Sequence, residues 1–533
     1  MTQIQLYDTT LRDGAQREGI SFSVEDKVKI AKKLDELGIH FIEGGWPGSN
    51  PKDAEFFVRA QSLGLSQAVV TAFGSTRRAG SKAESDVNLR ALVDAQTKVV
   101  TLVGKSWDLH VTDVLETTLD ENLNMIADSI RYLKSKGCTV FFDAEHFFDG
   151  YKANPEYALR TVEVAAEAGA DCVVLCDTNG GALPSEVASA IAVAKTKGVP
   201  LGIHAHNDAE LAVANTIAAV EAGVIQVQGT INGYGERCGN ANLCSIIPTL
   251  KLKRGIDCIT GEQLAKLTEV SRYVSEIANL SPDAYMPYVG ASAFTHKAGI
   301  HVDAVLKREE SYQHIVPDLV GNQKRMLVSE LSGRSSVVYK AQERGLDMAA
   351  QGEQASRILE HIKEMENRGF QYDGAEASFE LLVRRTHADY QPPFQLVDFM
   401  VVVEKRRRPP NLGSVEEEML SEATVKVRVG NDVMHTAAEG NGPVNALDAA
   451  LRKALLEFYP SLAAVRLTDY KVRALDETDG TASRVRVLIE SSDGEHQWRT
   501  VGSSTNIIEA SWLALADSLE YWLAKRAGEG NVT

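Results

Sequence analysis

The chain opens on Ile4-Gln5-Leu6-Tyr7-Asp8-Thr9-Thr10-Leu11-Arg12-Asp13-Gly14, a short strand-like run that ends in an arginine, an aspartate and a glycine. The glycine lets the chain turn, so Arg12 and Asp13 stand side by side where the strand stops. Alone, this pair is a weak signal, because Arg-Asp ion pairs are common on protein surfaces. Two later stretches change its meaning: Gly202-Ile203-His204-Ala205-His206-Asn207-Asp208 and Asn232-Gly233-Tyr234-Gly235-Glu236-Arg237-Cys238-Gly239-Asn240.

Strand-like and helix-like segments alternate regularly after this opening. Eight β-α units in about 270 residues predict a (β/α)8 TIM barrel, which typically needs near 250 residues. A doubly wound sheet is the alternative, but no GxGxxG follows the first strand. The predicted strands are Ile4–Tyr7, Phe41–Glu43, Ala68–Ala72, Val99–Val103, Val140–Phe142, Cys172–Cys176, Leu201–His204 and Ile225–Thr230.

Polar residues gather after nearly every one of these strands. Active sites of such barrels lie at the carboxyl ends of the strands, so these residues are expected to share one site. They include Arg12, Asp13, Glu43, Thr71, Glu145, Asp177, Thr178, His204, His206 and the Asn232–Asn240 stretch.

The pattern changes twice after the barrel. We predict a catalytic barrel over residues 1–274, a helical linker subdomain over 275–390 and a C-terminal α+β regulatory domain over 391–533. In the last region, three strands and a helix occur twice, which predicts a duplicated βββα unit of about 65 residues.

His204 and His206 are two residues apart on a strand, so both side chains point to the same face. In a closed barrel, strand one and strand seven are separated only by strand eight, so Asp13 can reach them. Two histidines and one carboxylate suit a divalent ion, and Asn240 could add a carbonyl oxygen. Mn²⁺, Mg²⁺, Co²⁺ and Zn²⁺ all remain open.

Composition limits the classes of partner. The formal net charge of −17 argues against nucleic acid or an anionic membrane surface. Six cysteines without a CxxC pair indicate reduced thiols and no cysteine zinc site. No signal-peptide pattern is seen and no apolar run reaches the roughly 18 residues of a membrane span, so we expect a cytoplasmic protein.

The three motifs together resemble the signatures of the 2-isopropylmalate synthase, homocitrate synthase and citramalate synthase family. Gly299-Ile300-His301-Val302-Asp303 is similar to the family's subdomain motif, and the repeated C-terminal unit is similar to its allosteric domain. The resemblance implies a Claisen-type condensation of acetyl-CoA with a metal-bound 2-oxo acid, followed by hydrolysis of the thioester. It also implies a homodimer, because the family's subdomain histidine acts on the barrel of the partner subunit.

Residue roles follow from the same resemblance. The metal positions are matched by Asp13, His204, His206 and Asn240, and Arg12 matches the arginine that contacts the substrate carbonyl. The remaining matches are Glu145 at the end of strand five, Thr178 on the substrate carboxylate, His301 in proton transfer, and Asp303 and Tyr312 beside it in substrate binding. From the residues alone, Arg12 could equally serve to neutralise Asp13 or Glu145.

The choice of 2-oxo acid is a separate question. The stretch Ile42–Asp53 and the sequence Asp143-Ala144-Glu145-His146 depart from the usual isopropylmalate synthase pattern and resemble the citramalate synthase branch. This predicts pyruvate as the acceptor, with isoleucine as the allosteric inhibitor. Four bulky residues could reduce the pocket, although core packing is the commoner role of such aromatics: Trp46, Phe141, Phe142 and Phe147.

Three alternatives remain from the sequence. A 2-isopropylmalate synthase would use 2-oxoisovalerate and sense leucine. A retro-Claisen acyl-CoA lyase shares the barrel motifs but lacks the duplicated C-terminal domain. A non-catalytic amino-acid sensor would not need the complete set of polar residues that the barrel carries.

Overall fold

The eight strands that the sequence predicts close into a parallel barrel. In the computed structural model, which describes residues 4–343, 353–387, 389–405, 419–475 and 482–528, the first strand pairs with both the second and the eighth. The strands are β1 (Gln5–Asp8), β2 (Phe41–Gly45), β3 (Val69–Ser75), β4 (Val99–Lys105), β5 (Thr139–Glu145), β6 (Cys172–Asp177), β7 (Leu201–Ala205) and β8 (Gln226–Gly229). The TIM barrel prediction is therefore confirmed.

Helices follow the barrel strands, and local sequence sets where they begin and end. In Val24–Leu37, the side chain of Ser23 accepts a hydrogen bond from the Asp26 amide, and Gly38 closes the helix in the left-handed region at φ 98°. The helices of this unit are α1 (Val24–Leu37), α2 (Pro51–Ala60), α3 (Val87–Asp94), α4 (Leu119–Ser135), α5 (Phe147–Ala153), α6 (Pro155–Glu167), α7 (Pro184–Ala194), α8 (Ala212–Ala222), α9 (Leu243–Pro248), α10 (Gly261–Leu264) and α11 (Leu267–Ile277).

The chain divides into two compact units: Met1–Phe294 with His314–Lys324, and Thr295–Gln313 with Arg325–Thr533. The second unit begins with α12 (Gly299–Lys307), α13 (Arg334–Glu343), α14 (Glu353–Asn367) and α15 (Glu376–Arg385). The stretch predicted to be helical also contains a small parallel pair, β9 (Thr295–His296) with β10 (Arg325–Met326). The proposed boundaries at 274/275 and 390/391 stay predictions.

The predicted duplication is confirmed in the second unit. Two antiparallel sheets of three strands are each followed by one long helix: β11 (Gln395–Lys405), β12 (Met419–Val429), β13 (Asp432–Gly440) and α16 (Pro443–Leu456), then β14 (Arg466–Ala474), β15 (Val485–Ser492), β16 (Gln497–Ser504) and α17 (Ile507–Gly528). Thr436 Oγ1 donates to the Ala450 carbonyl at 2.8 Å, and Thr500 Oγ1 donates to the Ala514 carbonyl at 2.7 Å. Both bonds join the third strand to its helix across 14 residues, so the two halves repeat even in this detail.

None of the helices in the described ranges is both long and apolar enough to cross a membrane. In the turn before α17, the Asn506 side chain accepts hydrogen bonds from the amides of Ile508 and Glu509. That turn therefore caps its own helix.

Candidate active site

Three side chains from two strand ends meet above the barrel. Asp13 follows β1, and His204 and His206 lie at the end of β7. Asp13 Oδ2 is 3.2 Å from His204 Nε2 and 3.9 Å from His206 Nε2, and the two Nε2 atoms are 3.3 Å apart. All three residues are buried, and their ligand atoms lie within 4.8 Å of one another. The spacing seen in the sequence has thus produced a cluster of the size that one cation needs.

Asn240 completes this cluster. Its Nδ2 donates to Asp13 Oδ2 at 2.9 Å and lies 3.2 Å from His204 Nε2. Its Oδ1 is buried and has no hydrogen-bond partner among the described residues. The oxygen and nitrogen of an amide are assigned from their partners, so a half-turn of the Asn240 amide presents a carbonyl oxygen to the cluster. In that orientation an amide oxygen, a carboxylate and two imidazoles face one another, a donor set that fits a divalent cation.

The loop after β8 brings Asn240 to this place, and glycine makes the fold of the loop possible. A Cβ on Gly235 would lie 1.8 Å from Asn240 Oδ1. A Cβ on Gly239, which has φ +91°, would lie 2.0 Å from the Gly233 carbonyl oxygen. Only residues without a side chain allow the loop to fold back so closely.

The protonation of the cluster suits a cation. Burial by itself raises the pKa of a carboxyl group, but Arg12 and the hydrogen bond with His204 outweigh it and hold the pKa of Asp13 well below its usual range. Burial opposes protonation of His204, yet Asp13 raises the pKa of that imidazole above its ordinary value. Burial and then the neighbouring His204 lower the pKa of His206 to about 4. At neutral pH, Asp13 is therefore ionised and His206 is neutral.

Arg12 is held by Glu43, a residue that the sequence placed at the same end of the barrel but not as the partner of Arg12. Its Nε donates to Glu43 Oε1 at 2.5 Å, whereas its Nη1 is 3.7 Å from Asp13 Oδ2. Glu43 is fully buried at the end of β2 and also accepts the Tyr7 hydroxyl at 2.5 Å. The Arg12 Cζ lies 3.9 Å from the centroid of the Phe73 ring. The guanidinium is thus fixed by charge on one side and by an aromatic face on the other.

Glu145 does not pair with Arg12, so of the two partners that the residues alone allowed for Arg12, only Asp13 lies within ion-pair distance, at 3.7 Å. Lys105 at the end of β4 forms the ion pair with Glu145, its register partner on β5. The sequence signal for Lys105 was a lysine two residues after the apolar run Val99–Val103. Thr178 follows β6, and its Oγ1 accepts the backbone amide of His146 at 2.9 Å. Since its hydroxyl oxygen is already an acceptor, the Thr178 proton is free to be donated.

These side chains line one cavity of about 610 Å³. The sequence-predicted residues on its wall are Arg12, Asp13, Glu145, Thr178, His204 and His206. Of the four bulky residues considered for the pocket, Trp46 lines it, whereas Phe141, Phe142 and Phe147 belong to buried core clusters. Phe73, which the sequence reading missed, stands beside Trp46 with ring centroids 5.6 Å apart.

The other three predicted residues belong to the second unit. The His301 and Tyr312 rings lie against each other, with centroids 4.2 Å apart. Asp303 forms an ion pair with Lys307 at 2.6 Å. Their roles at the barrel site stay predictions.

Comparison with known proteins agrees with this arrangement. Residues 3–274 match the model of the HMGL-like family, residues 288–369 match the homocitrate synthase post-HMGL domain-like family, and residues 373–523 match the LeuA allosteric (dimerisation) domain. The chain is 57% identical to the (R)-citramalate synthase of Geobacter sulfurreducens, over 98% of each chain. It is 54% identical to that of Aquifex aeolicus over 99% of each chain, and 31% identical to the 2-isopropylmalate synthase of Methanocaldococcus jannaschii over 98% of this chain and 95% of that one. The chain belongs to the family of 2-isopropylmalate, homocitrate and citramalate synthases.

Proposed function

We propose that the chain is an (R)-citramalate synthase, which joins the acetyl group of acetyl-CoA to pyruvate and hydrolyses the thioester to release citramalate and CoA. The observation that carries the proposal is the meeting of Asp13, His204 and His206 beside Arg12 in one cavity. Five relatives that are 49–57% identical carry that name. They favour pyruvate over 2-oxoisovalerate as the acceptor.

Asp13, His204 and His206, together with the Asn240 carbonyl, would hold a divalent cation. A cation bound there acts as a Lewis acid that polarises the ketone of the 2-oxo acid. The nitrogen and oxygen donors leave Mn²⁺, Mg²⁺, Co²⁺ and Zn²⁺ as candidates.

Arg12 and Thr178 position the 2-oxo acid. Glu43 occupies the Arg12 Nε, which leaves the Nη groups to donate to the oxygen that gains negative charge when the new carbon–carbon bond forms. Thr178 donates its hydroxyl proton to the substrate carboxylate, because His146 already occupies the oxygen as an acceptor. Both groups are fixed before the substrate arrives, so little reorganisation opposes the reaction.

Proton transfer falls to Glu145 and His301 in this proposal. Loss of a proton from the acetyl methyl gives the enolate carbon that attacks the ketone of pyruvate. Water then attacks the thioester carbonyl, and the CoA thiol leaves. Glu145 lies in the cavity, and the Lys105 ammonium beside it keeps a positive charge next to the carboxylate. His301, with Asp303 and Tyr312, would act on the barrel of a second copy of the chain, as the family resemblance implies.

The match of residues 373–523 to an allosteric dimerisation domain supports a homodimer. We propose isoleucine as its inhibitor, and isoleucine biosynthesis in the cytoplasm as the setting. Titration calorimetry with isoleucine and with leucine tests the effector. Heat with isoleucine alone is expected, and absence of heat with both amino acids would remove the sensing proposal.

The activity is tested by measuring free CoA release. Acetyl-CoA is supplied with pyruvate, 2-oxobutyrate, 2-oxoisovalerate or 2-oxoglutarate, with Mn²⁺ or after chelation. We expect pyruvate to be preferred and chelation to stop turnover until Mn²⁺ is restored. Arg12→Lys should lower kcat by about 10²–10³, whereas Arg17→Lys, an exposed control five positions on, should not. A preference for 2-oxoisovalerate would make the chain a 2-isopropylmalate synthase, and no turnover with any acid would reject the proposal.

A further inference from the structure

One of the two cluster histidines is held by a buried amide. Gln228 lies on β8 with none of its surface exposed, and its Oε1 is 2.9 Å from His204 Nδ1. An amide oxygen can only accept a hydrogen bond. His204 Nδ1 must therefore carry the imidazole proton, and the lone pair of a neutral His204 is on Nε2, which faces Asp13 and His206.

A carboxylate fixes the direction of that amide. Gln228 Nε2 donates to Asp143 Oδ1 at 3.2 Å and lies 3.4 Å from Gln226 Oε1. If the Gln228 amide turned over, its oxygen would face the Asp143 carboxylate, and its NH₂ group would face the histidine. Two facing acceptors are costly when they are buried, so the ionised Asp143 carboxylate selects the orientation in which His204 receives an acceptor.

We propose that Gln228 and Asp143 are positioning residues that fix His204 as a ligand through Nε2. The inference rests on the metal centre proposed above and adds to it the groups that orient one ligand. Nearby His206 offers a contrast within the same cluster, because its Nδ1 is buried with no hydrogen-bond partner among the described residues. His204 is thus the ligand that the barrel holds in place before the cation binds. Groups in this position commonly change metal affinity by about 10- to 100-fold when removed.

Mn²⁺ affinity of the full chain, measured by titration calorimetry, tests the inference without reference to turnover. Gln228→Leu removes the acceptor at similar size and should weaken Mn²⁺ binding by about 10- to 100-fold. Asn122→Leu is the matched control: its amide is equally buried, but its Nδ2 donates to the Lys105 carbonyl and the Tyr157 hydroxyl instead of contacting the His204–Gln228–Asp143 chain. We expect the control to bind Mn²⁺ with less than about a tenfold change in affinity, below the range that loss of a group orienting a ligand produces.

A second variant separates hydrogen bonding from packing. Gln228→Glu combined with Asp143→Asn exchanges an amide and a carboxylate without changing the size of either side chain. The new carboxylate at position 228 accepts from His204 Nδ1, and the new amide at position 143 donates to it. Mn²⁺ affinity should therefore stay near that of the unmodified chain, whereas Gln228→Glu alone places two carboxylates 3.2 Å apart.

The outcomes are distinct. Weak binding by Gln228→Leu, with normal binding by the exchanged pair and by Asn122→Leu, supports the inference. Equal binding by Gln228→Leu and the unmodified chain overturns it and leaves the metal centre intact. Weak binding by both Gln228→Leu and the exchanged pair overturns it in favour of packing, and thermal melting of the metal-free proteins confirms that each variant is folded. An unmodified chain that binds no Mn²⁺ rejects the metal centre and the inference with it.

Discussion

Variants of the Arg12–Glu43 ion pair can separate the contribution of Arg12 to stability from its contribution to turnover. The Glu43 side chain has none of its surface exposed and that of Arg12 only 16%, and the two groups are 2.5 Å apart. Arg12→Met removes the positive charge but keeps an unbranched side chain that can pack on Phe73. It leaves the Glu43 carboxylate buried without its cation, which typically costs about 3–5 kcal/mol. We therefore expect the free energy of unfolding to fall by that amount.

Glu43→Gln in the same chain should reverse much of this loss. The amide has the same shape, carries no charge and still accepts the Tyr7 hydroxyl. We expect the double variant to regain at least about 2 kcal/mol, within the range that coupled neighbours reach in a double-mutant cycle. Turnover should stay low by at least about 10²-fold, because the donor to the developing negative charge is still missing.

Denaturant unfolding followed by circular dichroism gives the stability, and CoA release gives the activity. Both single variants and the double variant are needed to close the cycle. Arg59→Met is the control, since the Arg59–Glu25 pair is about half exposed on both sides and should cost under about 1 kcal/mol. If Glu43→Gln recovers none of the stability lost in Arg12→Met, the reasoning from an uncompensated buried charge is wrong.

Three further predictions follow from single residues. Burial raises the pKa of Asp8 to about 7, so the folded state keeps a proton that the unfolded state loses, and the free energy of unfolding falls as pH rises from about 4 to about 7. Asp8→Asn should remove that slope. Its free energy of unfolding should therefore rise by about 2–3 kcal/mol relative to that of the unmodified chain as the pH goes from about 5 to about 8; parallel pH profiles from denaturant unfolding would contradict the prediction. Phe73→Leu enlarges the cavity beside Trp46 and should raise kcat/KM for 2-oxobutyrate relative to pyruvate by at least about tenfold. The core variant Phe142→Leu is the control and should leave that ratio unchanged. An unchanged ratio in Phe73→Leu would mean that Phe73 does not determine which 2-oxo acid the cavity accepts. Asp13→Asn removes the anionic member of the cluster and should weaken Mn²⁺ binding by more than about tenfold in calorimetry, and unaltered affinity would place the cation elsewhere.

The sequence was sufficient for the parts of the site that rest on local spacing. Two histidines two residues apart on a strand share a face whatever the rest of the chain does. Parallel strands of a closed barrel bring their carboxyl ends to one rim, so Asp13 and Asn240 were expected near the histidines without coordinates. The duplicated βββα unit could also be predicted, because a repeat of pattern is visible in the chain itself.

The side-chain pairs that form between neighbouring strand ends could not be predicted from the sequence in the same way. Glu43, Lys105 and Gln228 each contact a predicted site residue on a neighbouring strand, and which partner they reach depends on register. Aromatic residues posed a similar problem. Trp46 and Phe142 look alike as bulky residues near a strand, yet one lines the cavity and the other lies in the core.

The sequence by itself thus determined the barrel, the repeat and the cluster of Asp13, His204 and His206, since each follows from a period or a spacing along the chain. Tertiary structure alone decided that Arg12 is neutralised by Glu43, that Glu145 is paired with Lys105, and that Gln228 orients His204. The physical reason is that a buried charge or amide takes the partner that packing brings within about 3 Å, and that distance is set by strand register and side-chain direction.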